Sequence, residues 1–392
     1  MPGDKTHQLL TAEALTRADC NCPIGRDELI RQYCLYPDLY FVHPEQTEEY
    51  NFFFEGIQFH YPPNVPYVDL YRYWQHQPGG GLQRTYPFRN DNFRHVEAAF
   101  RHYFQTVADC WRRQDYDRGC RFLGVLLHFL QDATFGMHAL EGPGGTDLFA
   151  LDRLSGEPQL ERLTGLLCPE NAAGEYRARV LGASVDEAVA RLYAEYVRAT
   201  NDSLHCIFRF LFVPAVADSQ PRQMAANAVR LCADAIATSE HLAGLRPAEF
   251  PSTVPLTIFE PFEFPLGGSG KYRFLSLCQD QHKLSFWAHY DTRLLYVLPK
   301  NIFQSFSAGL RFIPLTPSSR VAVELLTDGQ PAAQFILSAQ HPSQELALTA
   351  PGGVCGLRLN TAESVGEIIL HRPTLRRLGK TKPPLKQADQ NP

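Results

Sequence analysis

Apolar residues recur at helical spacing in five stretches of the first 250 positions: 6–20, 92–113, 119–134, 184–213 and 220–245. In the fourth, Val185, Val189, Leu192, Tyr196 and Ala199 fall on one face of a 3.6-residue turn. These stretches predict helices. After Pro251 the period shortens, and the runs 272–277, 283–290, 294–298, 321–326, 334–337, 356–359 and 367–370, set between Gly, Pro, Asp and Asn turns, predict strands of a β-sandwich. The fold class expected is therefore α+β and multidomain, with a mainly α-helical domain over 1–250, a β-sandwich over 251–374 and a Lys-, Pro- and Gln-rich flexible tail over 375–392. Between the helices lie long irregular stretches, notably 33–90 and the Gly-rich 141–146. Long ordered loops on a helical scaffold are where missing ligands and a substrate wall belong.

A chain of 392 residues exceeds the usual size of one hydrophobic core, which agrees with the change of pattern at Pro251. With 44% hydrophobic and 20% charged residues the composition is that of an ordinary globular protein. A formal net charge of -5 argues against a general nucleic-acid surface, so no long nucleic acid is expected as a partner. No apolar run is long enough to span a bilayer, and positions 1–7 lack the apolar core of a signal peptide. Three readings stay open: secretion or export without a visible signal peptide, a leader lying outside this sequence, or a cytoplasmic location. The ten cysteines are scattered, and Cys20 and Cys22 are too close for a zinc knuckle, so they read as partly buried thiols.

The chemistry concentrates in 122–138, where two imidazoles and a carboxylate interrupt an apolar helix pattern. His128 and Asp132 are four residues apart and share a helical face, while His138 comes just past Gly136, where the helix can end and turn its side chain back. Burying a carboxylate among Leu and Phe is costly unless a cation or strong donor meets it. Either the two side chains bond each other in the core, or the pair binds a metal. Further ligand types stand at His7, at the start of the first predicted helix, and at Asp38 and His60, both in the aromatic loop region. That region holds Tyr36, Tyr40, Phe52, Tyr61, Tyr71 and Trp74 among other rings, with Glu45, Glu48, Glu49 and Glu55 beside them. Such rings suit a quaternary ammonium, stacked nucleobases, or a satellite core under the loop.

The order His, Asp, His, then H-x3-D-x5-H resembles the bacterial zinc-dependent phospholipases C and the related fungal single-strand nucleases. The segment Leu127–Ala139, down to its final Met-His-Ala, looks like that family's central helix. It is also similar to the divergent branch of pseudomonad phosphatidylcholine-hydrolysing enzymes and their relatives in intracellular pathogens, which add a C-terminal region. The resemblance covers about residues 6–245. It implies a zinc phospholipase C-like catalytic domain, with Asp38, His60, His128 and Asp132 around one zinc. Asp132 would bridge to a second zinc held by His7 and the amino-terminal residue, and His138 would serve a third. Two or three Zn2+ ions are thus expected, with Asp38 orienting or deprotonating the attacking water. Two departures stand out: family members begin with a Trp whose amine binds metal, whereas this chain begins Met1-Pro2, and the His-x3-Glu or His-x3-Asp pattern expected after His138 is absent. Asp152 and His205 are the candidate substitutes.

The activity implied is hydrolysis of phosphatidylcholine-type lipids to diacylglycerol and a phosphorylated head group at a membrane surface. The alternatives are a metal-dependent nuclease or other phosphodiesterase, and a noncatalytic interaction protein. In the β-rich part, His282, His289, His341 and His371 form no cluster in the sequence. Phe303 and Phe306 read either as loop tips for shallow interfacial insertion or as core.

Overall fold

A computed structural model describes residues 4–22, 25–42, 74–76, 82–84, 95–135, 159–261, 263, 265–269, 272–275, 277–280, 282–288, 292–361 and 365–378. The chain divides into two compact units, Met1–Glu249 and Phe250–Pro392. In the first, the elements are α1 (Asp4–Ala18), α2 (Arg26–Arg31), a 3-10 turn Tyr33–Leu35, α3 (Tyr36–Val42), α4 (His95–Arg112), α5 (Tyr116–Ala133), α6 (Gln159–Leu166), α7 (Val185–Phe212) and α8 (Gln220–Ala243), with a strand pair β1 (Trp74–His76) and β2 (Leu82–Arg84). Helical periodicity alone placed the five long helices to within a few residues.

Two of these helices are internal. On α5 every residue from Cys120 to Ala133 except Arg121 is buried, and α8 is buried over most of its length. The α8 helix packs against α1, α4, α5 and α7. Its alanines at 225, 226, 228, 233, 235 and 237 let these neighbours come close, since helix separation is set by the side chains at the contact. Pro221 opens α8, and Gly244 closes it in a left-handed turn whose amide donates to the His241 carbonyl while Leu245 N–H reaches Glu240. The start of α7 is fixed in a different way: Ser184 accepts from Glu187 N–H at 3.3 Å and Glu187 reaches back to Ala183 N–H at 3.0 Å.

The second unit contains β3 (Thr253–Pro255), β4 (Leu266–Ser269), β5 (Tyr272–Leu275), β6 (Cys278–Gln279), β7 (Lys283–Ala288), β8 (Thr292–Leu298), β9 (Phe303–Pro314), β10 (Arg320–Thr327), β11 (Gln330–Ser338), β12 (Ser343–Thr349), β13 (Gly353–Asn360) and β14 (Gly366–Arg377). One antiparallel sheet runs β11-β10-β13-β8 and the other β12-β9-β14-β7-β6, with β3 also on β14. Leu294, Tyr296 and Leu325 from the first sheet and Phe306, Leu346 and Leu370 from the second line one small apolar cavity, so the two sheets share a core.

Of the two readings of Phe303 and Phe306 the core one holds: both are buried side chains of β9, which lies inside its sheet between β12 and β14. Two expectations change. The last strand, expected over 367–370, runs from Gly366 to Arg377 and so passes residue 374, where the sandwich was expected to end. The stretch 33–42 is helical and not irregular, so Asp38 stands in the first turn of α3. The described histidines His282, His341 and His371 are exposed, and His289 lies outside the described residues.

One close approach in the helical unit also bears on function. A Cβ at Gly124 of α5 would stand 2.5 Å from the backbone carbon and oxygen of Tyr33, so only glycine lets the 3-10 turn rest on α5. Replacing Gly124 by Ala should cost about 1–3 kcal/mol through overpacking, although alanine favours a free helix. At Gly165, where a Cβ meets nothing within 4 Å, the same change should be neutral or stabilising. Denaturant midpoints of the two variants check the contrast.

Candidate metal centre

Three segments bring four ionisable side chains together. On α1, His7 belongs to the buried stripe His7, Leu10, Thr11, Ala14, Leu15 and Ala18, which packs inward at helical spacing. From α5 come His128 and Asp132, one turn apart on a helix already buried all round. The turn 33–35 and α3, held against α5 at Gly124, supply the Cys34 carbonyl and Asp38. His7, His128 and Asp132 are fully buried, and Asp38 alone of the four retains some exposure, 11% of its side chain.

The two imidazoles stack, with centroids 4.0 Å apart and planes at 17°. Each ring is held by its Nδ1. That of His128 donates to the Cys34 carbonyl at 2.7 Å, because a carbonyl can only accept. That of His7 pairs with Gln131 Oε1 at 2.7 Å, while Gln131 Nε2 donates to Thr11 Oγ1 at 2.9 Å. Both Nε2 atoms therefore turn to the same place. His7 Nε2 lies 3.5 Å from Asp132 Oδ1 and 3.9 Å from Asp38 Oδ2; His128 Nε2 lies 3.2 Å from Asp132 Oδ2 and 3.8 Å from Asp38 Oδ1. Each carboxylate thus offers one oxygen to each ring.

Neither Nε2 has a hydrogen-bond partner of good geometry among the described residues. A neutral ring fixed at Nδ1–H presents a bare lone pair at Nε2, here toward carboxylate oxygens that are also acceptors. Acceptors converging in a dry interior demand a cation. A proton meets the demand in part: burial opposes a charge on His128, yet Asp132 and Asp38 outweigh it and raise its pKa to about 9. Burial and the charge of His128 push His7 down to about 3. Two imidazole nitrogens and two carboxylates are the donor set that zinc takes, and His7, His128 and Asp132 offer ligand atoms within 4.8 Å of one another. The residues fit the metal.

Asp38, His7, His128 and Asp132 are thus found side by side. His60, His138 and Asp152 lie outside the described residues. His205 is exposed on α7 and takes no part in the cluster. Sequence reasoning missed Gln131, Thr11 and the Cys34 carbonyl, which orient the rings. Gln131 had a signal, being a polar residue in the apolar run, three positions after His128.

No protein-family model matches the sequence, and no curated protein matches it at a significant level. Among solved structures, an alpha-toxin of Clostridium perfringens aligns over 93% of this chain and 86% of its own, at 10% identity and a TM-score of 0.34. The alpha toxin of Clostridium absonum aligns over 97% and 96%, at 9% identity and 0.34. Likenesses this loose carry no weight for activity or ligand.

The site's electrostatics lead to two expected outcomes. In metal-free protein the folded pKa of His128 stands above its ordinary 6.5, so its stabilisation is fully present below pH 6.5 and is lost as pH rises through about 9. That is worth about 3 kcal/mol. For His7 the unfolded ring takes up a proton below 6.5 that the folded ring refuses, so stability also falls as pH drops from 6.5 toward 3. Melting temperatures in chelator should peak near pH 6.5; a steady climb to pH 9 would refute the assignment. Separately, Gln131→Leu should weaken zinc binding by about 10–100-fold while the fold persists, as titration with a competing chelator would read.

Proposed function

We propose that this chain is a zinc-dependent phosphodiester hydrolase and, within that class, a phospholipase C acting on phosphatidylcholine-type lipids. The observation that carries the hydrolase reading is the buried quartet in which Asp38 and Asp132 each span both His7 and His128. Two carboxylates shared between two imidazoles suit one ion or a pair. Bound zinc would supply Lewis acidity toward phosphoryl oxygens and lower the pKa of water. The lipid reading is finer and is supported by the resemblance of Leu127–Ala139 to the phospholipase C central helix and by the aromatic, acidic composition of 36–74.

The chain's own groups divide the work. Gln131 and the Cys34 carbonyl hold both rings with Nε2 forward, so the ligands need no reorganisation when metal arrives. Asp132, with 1% of its side chain exposed, is shut away from substrate and serves as a ligand. Asp38 has the exposed edge, so its carboxylate is the group able to accept a hydrogen bond, and then a proton, from a water beside the phosphorus. Burial of the remaining members excludes bulk water and strengthens each electrostatic contact.

A lipid enzyme must also reach its substrate, and the β-rich unit offers a surface for that. Trp287 and Ile313 flank Glu367 across β7, β14 and β9, both more than 40% exposed, and Leu315 beyond the end of β9 is 61% exposed. An indole beside aliphatic side chains suits the interface of a bilayer. This patch takes the place of Phe303 and Phe306 as the membrane contact, with export to the outside of the cell as the matching location.

Purified protein should carry at least two equivalents of zinc, lose turnover in chelator and regain it with zinc. It should release phosphocholine from phosphatidylcholine vesicles and leave single-stranded DNA intact. Cleavage of the DNA alone would make it a nuclease, and a protein lacking both metal and turnover would leave only the noncatalytic reading. His128→Ala should lower turnover by at least 10³-fold, since it removes a ligand and the geometry with it. Trp287→Ala should weaken vesicle binding in a flotation assay yet leave hydrolysis of a soluble phosphocholine ester unchanged.

A further inference from the structure

We propose that Cys22 and Cys120 are the two halves of a disulfide bridge that staples the linker after α1 to the second turn of α5. Their Sγ atoms stand 3.8 Å apart, with the residues 8% and 1% exposed. A bond requires about 2.05 Å, so the two sulfurs must close by less than about 2 Å. The backbone of the linker is pressed onto this spot. Gly25 adopts a left-handed φ of 89°, and a Cβ there would lie 2.8 Å from Cys120 Sγ, so the chain passes Cys120 with no side chain intervening.

The chemistry is thiol–disulfide exchange with a small disulfide oxidant of the glutathione class. The Cys22 thiolate attacks one oxidant sulfur and expels a first thiolate, which takes up the Cys22 proton. The Cys120 thiolate then attacks the Cys22 sulfur of the mixed disulfide and expels a second, which takes up the Cys120 proton. Two protein thiols are oxidised and one oxidant disulfide is reduced to two thiols. The contact with Cys22, and then burial, push the Cys120 thiol far above its ordinary range, so exchange is slow once the unit is closed. The bond accordingly forms while the linker can still open during folding, and closure then shields it.

The bridge would close a loop from 22 to 120 that contains the 3-10 turn and Asp38, and tie the helix bearing His7 to the helix bearing His128 and Asp132. Cross-linking so long a loop restricts the unfolded chain strongly. The inference does not depend on what the quartet binds.

The test refolds the full chain in a glutathione redox buffer, quenches it with acid and an alkylating agent, and maps its peptides without reduction. A peptide pair joining Cys22 to Cys120 is expected as the main cross-link. The oxidised protein should melt about 10 °C above the reduced protein. Cys22→Ser, a change in the linker, should remove the cross-link and the increment while far-UV circular dichroism stays native. Cys20→Ser should keep both, which separates the neighbouring thiol. The proposal fails if the folded, oxidised protein lacks the 22–120 pair, if Cys20 takes the place of Cys22, or if oxidised and reduced protein melt together.

Discussion

Two stacked imidazoles aim their Nε2 atoms at two carboxylates in a nearly dry interior, and that concentration of acceptors is the constraint on which the helical unit depends. Left without a cation it would cost several kcal/mol, since buried charge is tolerated only when paired. Everything around it answers that condition. Helix α5 is buried over almost all its length, which keeps water away; α8, lined with alanine, allows the neighbouring helices to close in; Gly124 lets the turn at Tyr33 lie flat against α5 so that the Cys34 carbonyl reaches His128. Packing and polar chemistry are one arrangement here.

Much of this was legible before the structure, for reasons particular to each element. The long helices announced themselves because apolar residues keep a 3.6 period through α4, α5, α7 and α8, although α5 and α8 are buried nearly all round. His128 and Asp132 could be paired from spacing alone, because i and i+4 share a face wherever the helix goes. His7 offered less, being one residue at the head of α1, and only the folded stripe shows that it faces inward.

What escaped did so for physical causes. Asp38 reads as a loop residue in the sequence because α3 is short and aromatic, with Pro37 inside its first turn, and proline at a helix start is easily read as a turn. Strand β9 escaped because the interval from Phe303 to Phe306 breaks a clean alternation, near the point where its register with β14 shifts. Strand β12 sits at a sheet edge with only Leu346 and Leu348 buried, too few to mark a period. Gln131 is not itself a metal-ligand type, so its polar place in the apolar run does not by itself reveal the ring it steers.

The quartet is assembled from positions far apart in the chain: His7 meets Gln131 across 124 residues. Such a centre exists only while the helices are docked, and an unfolded chain offers a metal nothing comparable. Occupancy would therefore add directly to folding free energy, rising with the logarithm of free metal once it exceeds the dissociation constant. Metal supply would then govern how long each copy survives. In a zinc-poor compartment the helices would part more often, proteases would find the opened chain, and abundance would track the metal even where the gene is expressed steadily.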